Sequence, residues 1–447
     1  MRSSLVAAIV LSVASIAHAG PPVVIINPIV FEGFNVPGIG LISGGFAASE
    51  RHAVNDHGDW LVRADTTHAD TNADLVVLNG NGHSTGSLLL RENQLMTAPA
   101  GARLSTPDSM YINNHGNMSF NHFLRDTGST NNDSGVYFNN DLLIQESNHV
   151  TAAGISANSP WLGFFETRIN NSNTVMVMGT CDDPAIASSV DQLFVLVNPF
   201  TLAQTLVARE GSEIVSGRFV ETFGTGTHTM ALNDHGHVMF TVDMTGATTD
   251  DGAVVIWDGT NYNVVMREGD ASPVAGRNWQ STPTAIDFNS NGDWVARGDL
   301  DGATTDDSVI VKNGTDIIAR EGHGLPAIGS FLFQTFGTGG VAIDNNGNVV
   351  WYGDWDDPDT TRDKGLFWND QLIVQIGVTQ VQDGRIITSI SAVSENISLS
   401  GNGRWLVFEG VLNDGTDGAF MVEIIPEPGT LALLVLGLTA VIRRRRR

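Results

Sequence analysis

Seven copies of one short turn, recurring about every 57 residues, restrict this chain to a repeat architecture. The copies begin at Asn55, Asn113, Asn170, Asn233, Asn289, Asp344 and Ser400, so successive spacings are 58, 57, 63, 56, 55 and 56 residues. The plainest copy reads Asn289-Ser290-Asn291-Gly292-Asp293-Trp294. In each, an Asn, Asp or Ser side chain can bond the backbone just ahead, and a Gly or Asn three residues on tolerates positive φ. The third copy is placed at Asn170-Asn171-Ser172-Asn173, 24 residues after Glu146, and not at Asn158-Ser159-Pro160-Trp161. The distances from Glu32 to Asn55, Glu210 to Asn233 and Glu321 to Asp344 are each 23 residues, which fixes that choice.

Around each turn the same four strands can be read. A lead strand of small residues (227–232, 339–343) enters the turn, and a second strand (237–242, 348–352) leaves it. An acidic loop follows, then a third strand such as 253–257, a hairpin signal at Asp258-Gly259, and a fourth strand, 263–266. Seven such units predict an all-β, seven-bladed β-propeller of four-stranded antiparallel blades. The seventh unit lacks a fourth strand, while the N-terminal run 23–31 leads into a Glu-Gly segment (32–40) like that at 321–329. The N-terminal strand is therefore expected to complete blade seven and remove the free edge. A ring of six or eight blades, or a pair of β-sandwiches, stays open at this point.

The 42% hydrophobic and 16% charged residues are a globular balance, and 49 glycines suit many tight turns. Cys181, the single cysteine, excludes an intramolecular disulfide, and no spacing motif marks it as a nucleophile.

Both ends carry processing signals. Arg2, an apolar run over 5–16 and Ala17-His18-Ala19 predict a secretory signal peptide over 1–19, cleaved after Ala19. At the other end stand Pro426-Glu427-Pro428, an apolar run over 431–442 and five arginines. Twelve apolar residues fall short of the ~20 of an ordinary span, and the arginines hold that end on the cytoplasmic side. This tail, residues 426–447, resembles the PEP-CTERM sorting signal of Gram-negative and related bacteria. The resemblance implies export, a transient inner-membrane anchor through a short transmembrane helix, recognition by an exosortase, and removal of the tail near Pro426, Glu427 and Pro428. Delivery to the cell surface or extracellular matrix follows; a periplasmic tail anchor is the alternative. Processing leaves a body over 20–425 and takes Lys+Arg from 23 to 17 and Asp+Glu from 49 to 48, a formal charge near −31. Such a body repels nucleic acid.

Several residue sets could carry chemistry. Arg-Glu recurs as Arg91-Glu92, Arg209-Glu210, Arg267-Glu268 and Arg320-Glu321. A catalytic site needs one acid and one base, so this repetition reads as a structural contact. His57, His115 and His235 occupy one position in three turns and lack a zinc ligand set, so they read as solvated turn residues. The turns are similar to the Asp-box hairpins of sialidase-type propellers where Trp60, Trp294 and Trp405 follow, a likeness that implies fold only. No unrepeated set of Arg, Tyr and carboxylate can be placed together from sequence.

The acidic loops share the face opposite the turns. They hold Asp250, Asp251, Asp306, Asp307, Asp356 and Asp357, with Asp70, Asp74, Asp133, Asp182, Asp183, Asp359, Asp414 and Asp417. Oxygen ligands in flexible loops suit Ca²⁺, although the D-x-[DN]-x-[DN]-G spacing is missing and a solvated surface explains the same residues. The expected function is a non-catalytic surface or matrix module that binds exopolysaccharide or surface proteins. The alternatives are a glycoside hydrolase or lyase on the same scaffold and a purely structural surface protein.

Overall fold

The structure is a computed structural model that describes residues 22–44, 51–186, 191–393 and 397–425. The expected signal peptide with Ala19, and the tail with Pro426, Glu427 and Pro428, lie outside the described residues. Among the described residues no helix is long and apolar enough to cross a membrane.

Residues 24–424 form one compact unit. Seven antiparallel sheets follow one another along the chain, with a small hairpin of Asn35–Val36 and Gly40–Leu41 besides. Blade one consists of His52–Val54, Asp59–Asp65, Leu75–Asn81 and Ser87–Arg91 in that spatial order. Blade three repeats the pattern with Trp161–Ile169, Val175–Cys181, Asp191–Val197 and Gln204–Arg209. Its turn is the expected one, with Asn173 at a φ of 62° in the glycine position. In blade seven, Val23–Phe31 pairs with Asp417–Ile425, which pairs with Trp405–Leu412. The N-terminal strand closes the ring as predicted.

The lead strands of blades four, six and seven differ from expectation. Residues 227–232 split into a 3-10 turn, Thr227–Thr229, and a short strand, Met230–Leu232. Of residues 339–343 only Ala342–Ile343 is strand. In each blade an earlier segment, such as Arg218–Phe223 or Phe333–Thr335, pairs with the outer half of the same second strand. In blades four and six a glycine between the two halves explains the break: a side chain at Gly224 would collide with Thr241 and Thr229, and one at Gly340 with His228. The backbone bends where only glycine fits.

The core is distributed along the seams between blades. Seven apolar clusters each join two adjacent sheets, including Trp60, Val62, Trp405, Val407 and Met421 between blades one and seven. Successive residues of one strand serve opposite seams. Val175 and Val177 pack toward blade two, and Met176 and Met178 toward blade four. Both faces of the central strands are thus buried, which is why they read as continuous apolar runs and not as alternating ones.

Candidate functional site in the axial channel

The organising turns face the axis and bond to one another around it. Within a turn, Asn55 Oδ1 accepts the His57 and Asp59 N–H groups at 3.0 and 2.9 Å. The same acceptor role falls to Asn113, Asn170, Asn233, Asn289 and Asp344. Their amide nitrogens reach the next blade. Asn55 Nδ2 donates to the Asn113 carbonyl, Asn113 to Asn170, Asn170 to Asn233, Asn233 to Asn289, and Asn289 to Asp344, at 2.7–3.3 Å. Asp344 has no such donor, and there the Asn345 N–H donates to the Gly401 carbonyl at 2.7 Å. Asn402 then bonds Asp56 and completes the belt.

Inside the belt lies a cavity of about 180 Å³ lined by residues of all seven blades. A deeper cavity of about 170 Å³ continues it along the axis. The residue two positions before each turn lines this channel or borders it, and here the repetition breaks. Four blades carry Ala53, Ala231, Ala342 and Ser398, whereas the others carry Tyr111, Arg168 and Asp287. The Arg168 guanidinium lies 4.7 Å over the Tyr111 ring, and its Nη2 donates to the Thr227 carbonyl at 2.5 Å. Asp287 Oδ2 accepts the Ile343 N–H at 2.8 Å, and burial raises its carboxyl above the usual range.

Deeper still, Arg51 crosses from blade one to Glu166 of blade three at 2.8 Å, with Thr227 Oγ1 at the same distance and Asp108 at 3.7 Å. Glu166 is 1% exposed at its side chain. His228 packs against Gly340 of blade six. Burial, and after it the like charges of Arg168, Arg297 and Arg51, push His228 down to about 3, so it is neutral at physiological pH. The set of Arg, Tyr and carboxylate that sequence reasoning could not assemble is therefore present on the axis. Aligning the seven lead strands on their turns and looking for non-repeated charge would have found Arg168, Asp287 and Arg51.

The loop acids are placed otherwise. Asp250 sits between Arg218 and Arg267 at 2.5 and 3.0 Å, and Asp306 between Arg277 and Arg320 at 3.0 and 2.8 Å. These guanidiniums hold both carboxyls below the usual range. Asp356 accepts the Leu332 N–H, and the nearly buried Asp357 pairs with Arg362 at 2.9 Å. Asp251 lies carboxyl to carboxyl against Glu268, and Asp307 against Glu321. Asp183 is fully buried and so is no surface residue. The recurrent arginines are structural: Arg91, Arg267 and Arg320 donate through Nε to the carbonyls of Ala73, Asp250 and Asp306 in the loop before the third strand. His57, His115 and His235 are exposed, and no group of three or more His, Cys, Asp or Glu among the described residues is arranged to hold a metal ion. Cys181 is buried, and its thiol is pushed up to about 12 by burial and then by Asp191 and Asp183.

The family DUF7453, described as a family of unknown function, matches residues 23–432. The chain belongs to DUF7453. The PEP-CTERM protein-sorting motif matches residues 425–447 of this DUF7453 chain, and it implies export through the membrane to the cell surface with processing by an exosortase. No curated protein matches the chain. Among solved structures, a protein of unknown function from Dyadobacter fermentans DSM 18053 is 10% identical, with a TM-score of 0.33, covering 91% of this chain and 98% of that one. An oligogalacturonate lyase in complex with manganese is 11% identical with a TM-score of 0.42, at 90% and 98% coverage. Trypanosoma rangeli sialidase is 11% identical with a TM-score of 0.35, at 94% and 60% coverage.

Proposed function

We propose that residues 20–425, freed of the signal peptide 1–19 and the tail 426–447, act as a surface or matrix module that binds exopolysaccharide without turning it over. The sorting motif carries this reading, because it implies export of a closed, repeat-built body to the cell surface, where extracellular polysaccharide would be at hand. The acidic body favours cations as mediators. Of the six loop aspartates expected to take Ca²⁺, Asp250 and Asp306 already hold two guanidiniums each, so the proposal puts the cation at Asp251 with Glu268 and at Asp307 with Glu321. Two carboxyls supply fewer than the ~6–8 oxygens that Ca²⁺ takes, which leaves positions for sugar hydroxyls.

A second reading, a glycoside hydrolase or lyase, draws support from the unrepeated charges of Arg51, Arg168, Asp287 and Glu166 on the axis. Incubation with the host's exopolysaccharide separates the two. Retention of polymer of unchanged length supports the module, and release of shorter products that stops with one axial substitution supports the enzyme.

A further inference from the structure

We propose that the inner axial cavity binds a small, hydroxylated monocarboxylate no larger than one sugar ring, with Arg168 as the anchor for its carboxylate. This goes beyond the polysaccharide reading and does not depend on it.

Size comes first. A cavity of about 170 Å³ is below the ~300 Å³ at which drug-sized ligands begin to fit, so it suits a single ring or a short acid. Charge comes next. Arg168 spends Nη2 on the Thr227 carbonyl and its face on Tyr111, while its Nε is buried without a hydrogen-bond partner. A buried donor on a cation is unfavourable to leave unmatched, and a carboxylate is the group that fits a guanidinium edge. Arg168 forms no ion pair among the described residues, its charge reaching the Asp287 carboxyl from farther off, whereas Arg51 is matched directly by Glu166 and Asp108. Burial, and after it the charges of Arg168, Arg297 and Arg51, keep His228 neutral, so it adds no cation to the cavity. Asp287 and Ser398, from blades five and seven, line the same cavity and offer oxygen acceptors for ligand hydroxyls. At the mouth, Asp56 and Asp234 carry the opposite sign, which favours one negative charge on the ligand over two.

The departure from repetition supports the same conclusion. Blades one, four and six place Ala53, Ala231 and Ala342 where blades two, three and five place Tyr111, Arg168 and Asp287. Alanine serves at this depth in three blades, and the cross-blade bonds of Arg168 to Thr227 and of Asp287 to Ile343 leave the Arg168 Nε and the cavity beside it unaccounted for.

Calorimetric titration of the full-length chain in detergent with sodium glucuronate, and with glucose as the uncharged control, tests this. Glucuronate is expected to bind at least tenfold more tightly than glucose. Arg168→Gln should weaken glucuronate at least tenfold, and Ala342→Leu, which fills the cavity without changing any charge, should do the same. Equal affinity for glucuronate and glucose in the parent chain overturns the proposal, whatever the variants do. So does unchanged glucuronate affinity in either variant that retains its melting transition.

Discussion

The backbone N–H of Asn402 donates to Asp56 Oδ1 at 2.6 Å, and Asn402 Nδ2 donates to the Asp56 carbonyl at 2.9 Å, across 346 residues of chain. This pair joins the last turn to the first. Asp56 Oδ2 also accepts Asn114 Nδ2 at 2.6 Å, so one carboxylate links blades seven, one and two. The turns that give the sequence its period are thus the inner fastening of the ring, and the strand pairing of Val23–Phe31 with Asp417–Ile425 is the outer one.

The belt explains why asparagine dominates its first position. The amide accepts from its own turn through its oxygen and reaches the next turn's carbonyl through its NH₂, whereas the Ser400 hydroxyl does both within its own turn. Asn113→Asp keeps the acceptor but removes the donor to the Asn170 carbonyl and sets a charge at a site 4% exposed. A loss of about 1–3 kcal/mol is expected in denaturant unfolding. A change within a few tenths would mean that the belt contributes no stability.

Two glycines separate backbone strain from packing. Gly58 and Gly116 occupy the same turn position at φ of 78° and 74°. A Cβ on Gly58 would come within 2.8 Å of the Trp405 ring of blade seven, whereas one on Gly116 meets nothing within 4 Å. Gly116→Ala should cost about 1–2 kcal/mol from the left-handed backbone alone. Gly58→Ala should cost a further ~1–3 kcal/mol from overpacking at the closing seam. Equal losses in the two variants would contradict that seam.

Arg51 and Glu166 form a pair buried deep in the channel. Removing one partner leaves the other charge without its match, so Arg51→Met should destabilise by about 3–5 kcal/mol. The double change Arg51→Met with Glu166→Leu should recover part of that loss, the remainder reflecting Asp108, which also loses Arg51. Additive losses would mean that the two side chains act independently.

Burial, with Asp133 behind it, pushes Glu146 up to about 7, and burial with Asp307 does the same for Glu321. Unfolded glutamates release their proton near 4.5, so between 4.5 and 7 the folded state holds protons that the unfolded chain has lost. The stability tied to these groups is full below 4.5 and disappears as pH rises through 7. Buried His122 and His228, pushed down to about 3, act in the opposite sense below 6.5, and a difference measurement cancels them. The double variant Glu146→Gln, Glu321→Gln should therefore gain stability relative to the parent as pH is raised from 5 to 8. A relative stability that stays flat over that range would contradict the assignment.

Much of the architecture is legible in the sequence because it is repeated. Each turn states its own chemistry, the spacing counts the blades, and the missing fourth strand of blade seven points to residues 23–31. The interrupted lead strands are not legible, since Gly224 and Gly340 break them through contacts with Thr241 and with His228 of another blade. The axial set is hidden for a related reason. Arg51 and Glu166 are 115 residues apart, and only ring closure brings them within 2.8 Å. Asp250 and Asp306 look like free acids in a loop, but their arginine partners, Arg218 and Arg277, are 32 and 29 residues away.

The most direct test of the proposed module is equilibrium binding of the purified chain to the host's own exopolysaccharide, with Ca²⁺ and with a chelator. The account predicts binding in Ca²⁺ that is lost in chelator and weakened by Asp251→Asn with Asp307→Asn. Binding that survives the chelator would remove Ca²⁺ from the interface, and the lack of binding in both conditions would contradict the polysaccharide module itself.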